Sequence, residues 1–137
     1  MESDPLFSII TVCRNEFPKI RATCESICNQ SVRNFEWIVI DGASTDGTLD
    51  VLDEYRDRIA ILVSEPDKGI YNAMNKGIRR AGGEYVVFMN GGDRFMDENV
   101  LETVAAAPRK DIISGDLLFD GGKQTVKTYP DLSLIHI

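Results

Sequence analysis

The residues of this 137-residue chain that could do chemistry gather in four short polar segments, each directly after an apolar run. The segments are residues 13–16, 41–44, 64–69 and 90–93. The last segment ends in Asp93, behind two glycines. A carboxylate there can hold a hard divalent cation, and glycines let the backbone and a bound diphosphate approach without an intervening Cβ atom. The segment therefore suggests a metal and diphosphate site, although an aspartate that only caps the loop fits it too.

Three residues of the other segments are weaker candidates. The carboxylate of Asp41 could accept N–H groups of a nucleobase or the hydroxyls of a ribose, or it could simply form an Asp-Gly turn. Arg14 and Lys68 could complement phosphate charge, or they could be ordinary surface side chains. Asp46 and Thr48 belong to a Ser/Thr/Asp cluster that is typical of a helix start, so we assign them to capping and not to the site.

Four apolar runs rich in β-branched residues predict strands that are covered on both faces, because their apolar residues are nearly continuous and do not alternate with polar ones. These runs are residues 6–12, 35–40, 59–63 and 85–89. Two further strands, at 111–119 and 124–128, are predicted around a turn at Gly121 and Gly122.

Helical spacing of apolar residues separates the predicted strands. Helices are predicted at residues 18–30, after the capping cluster (Leu49, Leu52 and Tyr55), at 70–81 and at 97–107. In the third helix Gly77 lies on the apolar stripe, which predicts a close approach to the sheet. Gly82 and Gly83 are expected to end that helix in a left-handed conformation.

This order of elements predicts an α/β fold with a mainly parallel sheet and right-handed crossovers. Ligands of such sheets bind at the carboxyl ends of the strands. All four polar segments follow strands, so we expect them to converge on one edge.

Composition excludes several classes of function. The chain has 15 Lys and Arg against 22 Asp and Glu and no long basic run, which argues against nucleic acid as a partner. No apolar stretch is longer than that at 85–89, which is far below the roughly 20 residues of a membrane span. The acidic N-terminus does not resemble a secretory signal, so we expect a cytoplasmic protein. Three cysteines and one histidine leave little material for a zinc site.

Inspection for known motifs removes other classes. The chain has no P-loop, no Rossmann G-x-G-x-x-G after the first strand, no G-x-S-x-G and no H-E-x-x-H. An acidic stretch at 41–54 lacks the residues of a calcium loop at its ligand positions.

Taken together, four blocks of sequence resemble the N-terminal half of a family 2 glycosyltransferase of the GT-A fold. They are FSIITVCRN at 7–15, WIVIDGASTDGT at 37–48, SEPDKGIYNAMNKGI at 64–78 and GEYVVFMNGGD at 83–93. The middle blocks look most like bacterial enzymes of exopolysaccharide, capsule or O-antigen synthesis. The resemblance implies a Rossmann-like nucleotide-diphospho-sugar transferase fold, a three-layer sandwich that occupies residues 1–137 as one domain.

The resemblance also implies a reaction. A family 2 enzyme of this branch moves a sugar from a nucleotide diphosphosugar, here a UDP- or GDP-sugar, to the hydroxyl of a glycan or lipid-linked acceptor, with inversion. It would do so in surface polysaccharide synthesis with Mn²⁺ or Mg²⁺ as cofactor. Peripheral association with the membrane is compatible with such an acceptor.

Particular residues take roles by the same resemblance. The nucleotide is expected to contact Thr11, Cys13, Arg14, Asn15, Asp41 and Lys68, with Asp41 on the base. The donor diphosphate and sugar are expected at Asn90, Gly91 and Gly92, and the metal at Asp93.

The chain departs from the family pattern in three respects. One carboxylate, Asp93, stands where an Asp-x-Asp-like motif is usual. Met74 replaces an arginine that many relatives carry near the nucleotide, which leaves Arg14 or Lys68 as its substitute and the base undetermined. Family members continue further, and their acceptor-side half supplies the catalytic base, which we expect beyond residue 137. Asp116 is a weak candidate for that base because nothing in the sequence positions it.

Two other functions are compatible with parts of this pattern. A non-catalytic nucleotide-binding or assembly module would keep the fold without the base carboxylate. A sugar nucleotidyltransferase would need a glycine-rich loop after the first strand, and residues 11–15 contain no glycine.

Overall fold

A mainly parallel sheet flanked by helices organises the computed structural model, which describes residues 5–106, 112–114, 116–118, 125–127 and 133–136. In chain order the elements are β1 (Phe7–Cys13), α1 (Ile20–Cys28), β2 (Phe35–Asp41), α2 (Thr48–Asp53), β3 (Ile61–Ser64), α3 (Ile70–Arg80), β4 (Tyr85–Phe88), α4 (Val100–Ala106), β5 (Ile112–Ser114), β6 (Asp116–Leu118), β7 (Thr125–Lys127) and β8 (Ser133–His136). Within the described residues, no helix has both the length and the apolar character needed to cross a membrane.

The six-stranded sheet has the order β3-β2-β1-β4-β8-β5. The four strands β1 to β4 pair in parallel, as the sequence predicts, and their bounds agree with prediction to within two residues. β8 pairs antiparallel with both β4 and β5, and residues 133–136 were not predicted to form a strand. The single strand predicted at 111–119 is wrong, because β5 belongs to the six-stranded sheet and β6 to a separate one. β6 pairs antiparallel with β7, as predicted for the two strands around the Gly-Gly turn, and the turn itself lies outside the described residues.

Alternate residues of the central strands face two separate cores, which explains why the strands are apolar throughout. Phe7 and Ile9 of β1 pack with residues of α1, α2 and α4 on one face of the sheet. Ile10 and Val12 pack with α3 on the other face. The fold is therefore a sandwich of helix, sheet and helix layers.

Helix α3 lies very close to the sheet. A Cβ atom on Gly77 would stand 2.5 Å from Cγ2 of Ile10, so a glycine is needed there, as predicted. The predicted left-handed stop is wrong, because α3 ends at Arg80, the following residue Ala81 is extended, and neither Gly82 nor Gly83 has a positive φ. Gly83 instead passes within 2.7 Å, measured from an ideal Cβ, of the backbone of Phe7.

Candidate functional site

The four polar segments meet at the carboxyl edge of the sheet. The strand pairing continues into them through main-chain hydrogen bonds. The N–H of Gly42 donates to the carbonyl of Cys13 (2.9 Å), that of Glu65 to Asp41 (3.0 Å), and that of Gly91 to Val12 (2.9 Å). The segments therefore start side by side, and the predicted convergence is confirmed.

Asp41 is completely buried at this edge, and its carboxylate is satisfied from within the protein. Oδ2 accepts hydrogen bonds from the N–H of Ser44 (2.9 Å) and the hydroxyl of Ser64 (2.8 Å). Oδ1 accepts from the hydroxyl of Ser44 at 2.6 Å. The expected contact with a base is therefore not supported, because the carboxylate joins three segments and presents no open oxygen.

Thr11 and Cys13 are also internal, because every second residue of β1 faces the core that contains Phe7 and Ile9. The hydroxyl of Thr11 accepts a hydrogen bond from Nε1 of Trp37 (3.0 Å). Sγ of Cys13 donates to Oδ1 of Asp41 (3.5 Å), and burial together with the neighbouring Asp41 charge raises the pKa of this thiol. Neither side chain lines an open surface, so we do not retain them as nucleotide contacts.

Asn15 braces the first segment against the second. It has a positive φ of 53°, and its Oδ1 accepts hydrogen bonds from the N–H groups of Thr45 (2.8 Å) and Asp46 (3.3 Å). Asp46 in turn accepts from the backbone and hydroxyl of Thr48, and that hydroxyl bond is the main cause of a lowered pKa at Asp46. The predicted helix cap is not formed, because the N-cap residue of α2 is Gly47 and no side chain caps it. Asp46 and Thr48 instead hold the loop before α2 together, and Asn15 has a similar role.

Arg14 and Lys68 remain available for a phosphate. Both residues are exposed at the carboxyl edge, on the first and third segments. Among the described residues their charged groups form no ion pair. The backbone N–H of Lys68 donates to Oδ1 of Asn72 (3.0 Å), which holds the segment against the start of α3.

Asp67, a residue that the sequence analysis did not single out, lies over Gly42. A Cβ atom on Gly42 would stand 2.8 Å from Oδ2 of Asp67 and 3.4 Å from Cβ and Cδ of Arg14. Oδ1 of Asp67 accepts a hydrogen bond from the N–H of Gly69 (3.1 Å). The glycine directly after Asp41 is the sequence signal that could have indicated this contact, because a glycine at a strand end allows another side chain to pack over it.

The fourth segment is a tight turn closed by Asp93. Oδ2 of Asp93 accepts a hydrogen bond from the N–H of Asn90 (3.2 Å), and the N–H of Asp93 donates to the carbonyl of Asn90 (2.9 Å). Within the described part of the chain, Oδ1 of Asn90 is a buried oxygen without a hydrogen-bond partner. Such an orphaned acceptor is costly unless something donates or coordinates to it.

The two glycines of this turn serve different purposes. A Cβ atom on Gly91 would lie 2.6 Å from Cγ of Glu16, so that glycine permits packing between segments and gives no opening for a ligand. Gly92 has a φ of +98°, and a Cβ atom on it would meet nothing closer than Cβ and Cδ of Lys19, at 3.8 Å. The close approach of a diphosphate that was expected at both glycines is therefore compatible with Gly92 alone.

These oxygens suit a hard divalent cation that brings most of its own ligands. Oδ1 of Asn90 and the carboxylate of Asp93 are the oxygen donors that Mg²⁺ and Mn²⁺ prefer. The described residues contain no group of three or more His, Cys, Asp or Glu arranged for a metal ion. A metal at this turn would therefore depend on phosphate oxygens for further coordination, as Mg²⁺ sites commonly do.

Comparison with known proteins points to one family. A family model described as "Glycosyl transferase family 2" matches residues 8–134. The putative teichuronic acid biosynthesis glycosyltransferase TuaG of Bacillus subtilis is 36% identical over 99 residues, which are 70% of this chain and 39% of TuaG. The chain spans less than half the length of curated relatives that it matches.

Two solved structures share the fold. The mannosyltransferase PcManGT of Pyrobaculum calidifontis, in complex with GDP-Man and Mn²⁺, superposes with a TM-score of 0.72 at 28% identity and covers 82% of this chain and 35% of its own. TarS 1–349 of S. aureus, in complex with UDP-GlcNAc, has a TM-score of 0.68 at 28% identity. The match covers 73% of this chain and 30% of the TarS chain. These neighbours confirm the GT-A fold expected from the sequence.

Proposed function

The chain belongs to glycosyl transferase family 2, and we propose that it holds the donor site of an inverting enzyme that uses a UDP- or GDP-sugar. The acceptor is the hydroxyl of a glycan or lipid-linked sugar in bacterial surface polysaccharide synthesis. TuaG, named for teichuronic acid biosynthesis, supports this context. The donor class is supported by the UDP-GlcNAc and GDP-Man in the two structural neighbours.

One observation carries the proposal. The turn at 90–93 combines an orphaned buried oxygen, on Asn90, with the carboxylate of Asp93, at the carboxyl end of a central parallel strand. Two exposed cations, Arg14 and Lys68, lie on segments that start at the same edge. A diphosphate with a divalent cation offers the charges that match these groups.

The chemistry requires charge stabilisation on the donor side. The acceptor oxygen forms a bond to the anomeric carbon while the bond from that carbon to the diphosphate oxygen breaks, and the nucleoside diphosphate leaves with the electron pair. The acceptor proton passes to a base carboxylate, which the family resemblance assigns to the acceptor-side half. Arg14 and Lys68 are suited to neutralise the charge that develops on the leaving diphosphate.

A bound Mn²⁺ or Mg²⁺ would supply further neutralisation of that charge. Asp93 and Asn90 are the residues that would hold it. The chain spans less than half the length of its curated relatives. The transfer activity is therefore proposed for the whole enzyme. Its single-domain organisation over 1–137, cytoplasmic location and peripheral association with membranes stay predictions.

Calorimetric titration of UDP and GDP, each with and without Mn²⁺, tests the proposal. We expect one of the nucleotides to bind, and to bind more tightly when Mn²⁺ is present. A folded sample that binds neither nucleotide under either condition would contradict the proposed donor site.

A further inference from the structure

We propose that Thr23, on helix α1, is a positioning residue that holds the turn at 90–93 in a form that binds a cation and does not bind a phosphate directly. This inference rests on the proposed function and adds the residue that makes the donor site depend on metal. It starts from one contact between distant parts of the chain. The N–H of Gly92 donates a hydrogen bond to the hydroxyl of Thr23 at 2.9 Å.

The backbone of the turn has the features of a type II β-turn. The N–H of Asp93 donates to the carbonyl of Asn90 (2.9 Å), and Gly92, at the third position, has a φ of +98°. In a type I turn the third residue has a φ of about −90°, and the two types differ mainly in the orientation of the central peptide. That peptide joins Gly91 to Gly92, and two glycines put no side chain in the way of its rotation. Contacts from outside the turn therefore decide which type forms.

Thr23 is the contact that favours the observed type. Its side chain is fully buried, on a helix that packs into the core on one face of the sheet. Rotation of the peptide between Gly91 and Gly92 would turn the N–H of Gly92 away from Thr23, and the loss of a buried hydrogen bond is costly. One helical turn further along α1, the hydroxyl of Ser26 accepts a hydrogen bond from the N–H of Phe95 (3.1 Å). The helix thus holds this segment at two points, and only the first lies within the turn.

The same contact completes a set of main-chain bonds. Each of the four N–H groups of the turn donates to an acceptor within the protein. The acceptors are Oδ2 of Asp93 for Asn90 (3.2 Å), the carbonyl of Val12 for Gly91 (2.9 Å), the hydroxyl of Thr23 for Gly92 (2.9 Å) and the carbonyl of Asn90 for Asp93 (2.9 Å). Turns that bind phosphate work in the opposite way, because they aim their main-chain N–H groups at the anion.

The turn therefore offers oxygen atoms to a ligand. These are Oδ1 of Asn90 and the carboxylate of Asp93, which suit a divalent cation and repel a phosphate. A diphosphate would meet this turn through a cation that lies between them. Without the hydroxyl of Thr23 the peptide before Gly92 can rotate, and the two oxygen donors are no longer held in one arrangement. Nucleotide contacts of Arg14 and Lys68, on other segments, do not depend on this bond.

The test is calorimetric titration of UDP and GDP, with and without Mn²⁺, into wild type, Thr23→Val and Thr23→Ser. Valine keeps the shape of threonine without the hydroxyl, and serine keeps the hydroxyl. We expect the tightening by Mn²⁺ to fall by about fivefold or more in Thr23→Val, while affinity without metal stays as in wild type. Thr23→Ser should restore most of the tightening. Ser26→Ala is the matched control, since it removes a hydroxyl that holds the same segment outside the turn, and it should keep the full tightening.

The other outcomes would overturn the inference. They are an unchanged tightening in Thr23→Val, a loss of affinity that is equal with and without Mn²⁺, the same loss in Ser26→Ala, or a Thr23→Ser variant no better than Thr23→Val. Wild type that binds a nucleotide equally with and without Mn²⁺ would also overturn it and leave the nucleotide site standing. Wild type that binds neither nucleotide would contradict the proposed function as well.

Hydrogen exchange of the wild-type protein gives a test that needs no variant. The amide of Gly92 should exchange slowly with solvent although the residue is partly exposed, because its N–H is bonded to the buried Thr23. Rapid exchange at Gly92 in a folded sample would show that the bond is not maintained and would overturn the inference.

Discussion

The hydroxyl of Ser64, at the end of β3, donates a 2.8 Å hydrogen bond to Oδ2 of Asp41, at the end of β2. Together with the bonds from Ser44, this contact links the ends of β2 and β3 through the buried carboxylate of Asp41. Asp41, which the sequence suggested as a contact for the base, thus has its carboxylate occupied from within the protein. Removal of this carboxylate should therefore lower the free energy of unfolding.

Asp41→Ala should lower the free energy of unfolding by about 3 kcal/mol or more, because it leaves the buried donors on Ser44 and Ser64 without an acceptor. Urea denaturation followed by circular dichroism measures this loss. Asp57→Ala, an exposed aspartate in the turn after α2, is the control and should change stability by less than about 0.5 kcal/mol. Equal effects of the two substitutions would contradict the assignment.

Gly77→Ala should destabilise the protein even though alanine is the better helix former. The added methyl group would stand 2.5 Å from Cγ2 of Ile10, and overpacking of this kind costs about 1–3 kcal/mol against a gain of about 1 kcal/mol in helix propensity. Gly82→Ala is the control, since its Cβ would meet nothing closer than 3.6 Å. A Gly77→Ala variant as stable as wild type would show that α3 can move away from the sheet.

Asp93→Asn should remove most of the effect of Mn²⁺ on nucleotide affinity. The amide oxygen can still accept the hydrogen bond from Asn90 that closes the turn, but the negative charge that attracts a cation is lost. We expect the tightening by Mn²⁺ to fall by about tenfold or more, while binding without metal stays as in wild type. Asp97→Asn, four residues along, should behave like wild type; the same loss in both variants would contradict a specific role for Asp93.

The cysteine thiols should be protected in the folded protein. Burial raises the pKa of Cys24 to about 12, and the pKa of Cys13 is raised further. Ellman's reagent at pH 8 should therefore label Cys28, which is half-buried, first and the other two only after unfolding. Rapid labelling of all three thiols in the native state would contradict the buried placement.

These thiols also predict how stability depends on pH. Their folded pKa values exceed those of the unfolded chain, so their contribution is complete below about pH 9 and declines as pH rises toward about 12. Melting curves across this range should show a decline that is shallower in Cys24→Ala.

Much of the fold follows from local patterns, and the site follows less completely. Continuous apolar runs predict the four parallel strands because both faces of each are covered, and helical spacing correctly marks Gly77 as a point of contact. The strand at 133–136 is missed because its pairing with β4 and β5 depends on distant segments.

The direction of side chains at the strand ends could not be predicted from residue type. Asp41 and Asp67 both lie in turns that contain a glycine, and nothing local distinguishes the fully buried Asp41 from the partly exposed Asp67. Part of the difference arises from Ser64 on the adjacent strand β3, whose hydroxyl donates to Asp41. The need for a glycine at position 91 could not be predicted either, because Glu16, whose side chain packs against it, is distant in sequence.

The central claim is that a nucleotide diphosphate and a divalent cation bind together at the carboxyl edge. Paramagnetic broadening by Mn²⁺ of the amide signals of ¹⁵N-labelled protein, recorded with and without saturating UDP or GDP, tests it most directly. We expect Mn²⁺ to broaden the amides of residues 90–93 first when the nucleotide is present, and we expect Asp93→Asn to prevent this. Nucleotide-dependent broadening centred on another surface, or none in a folded sample, would contradict it.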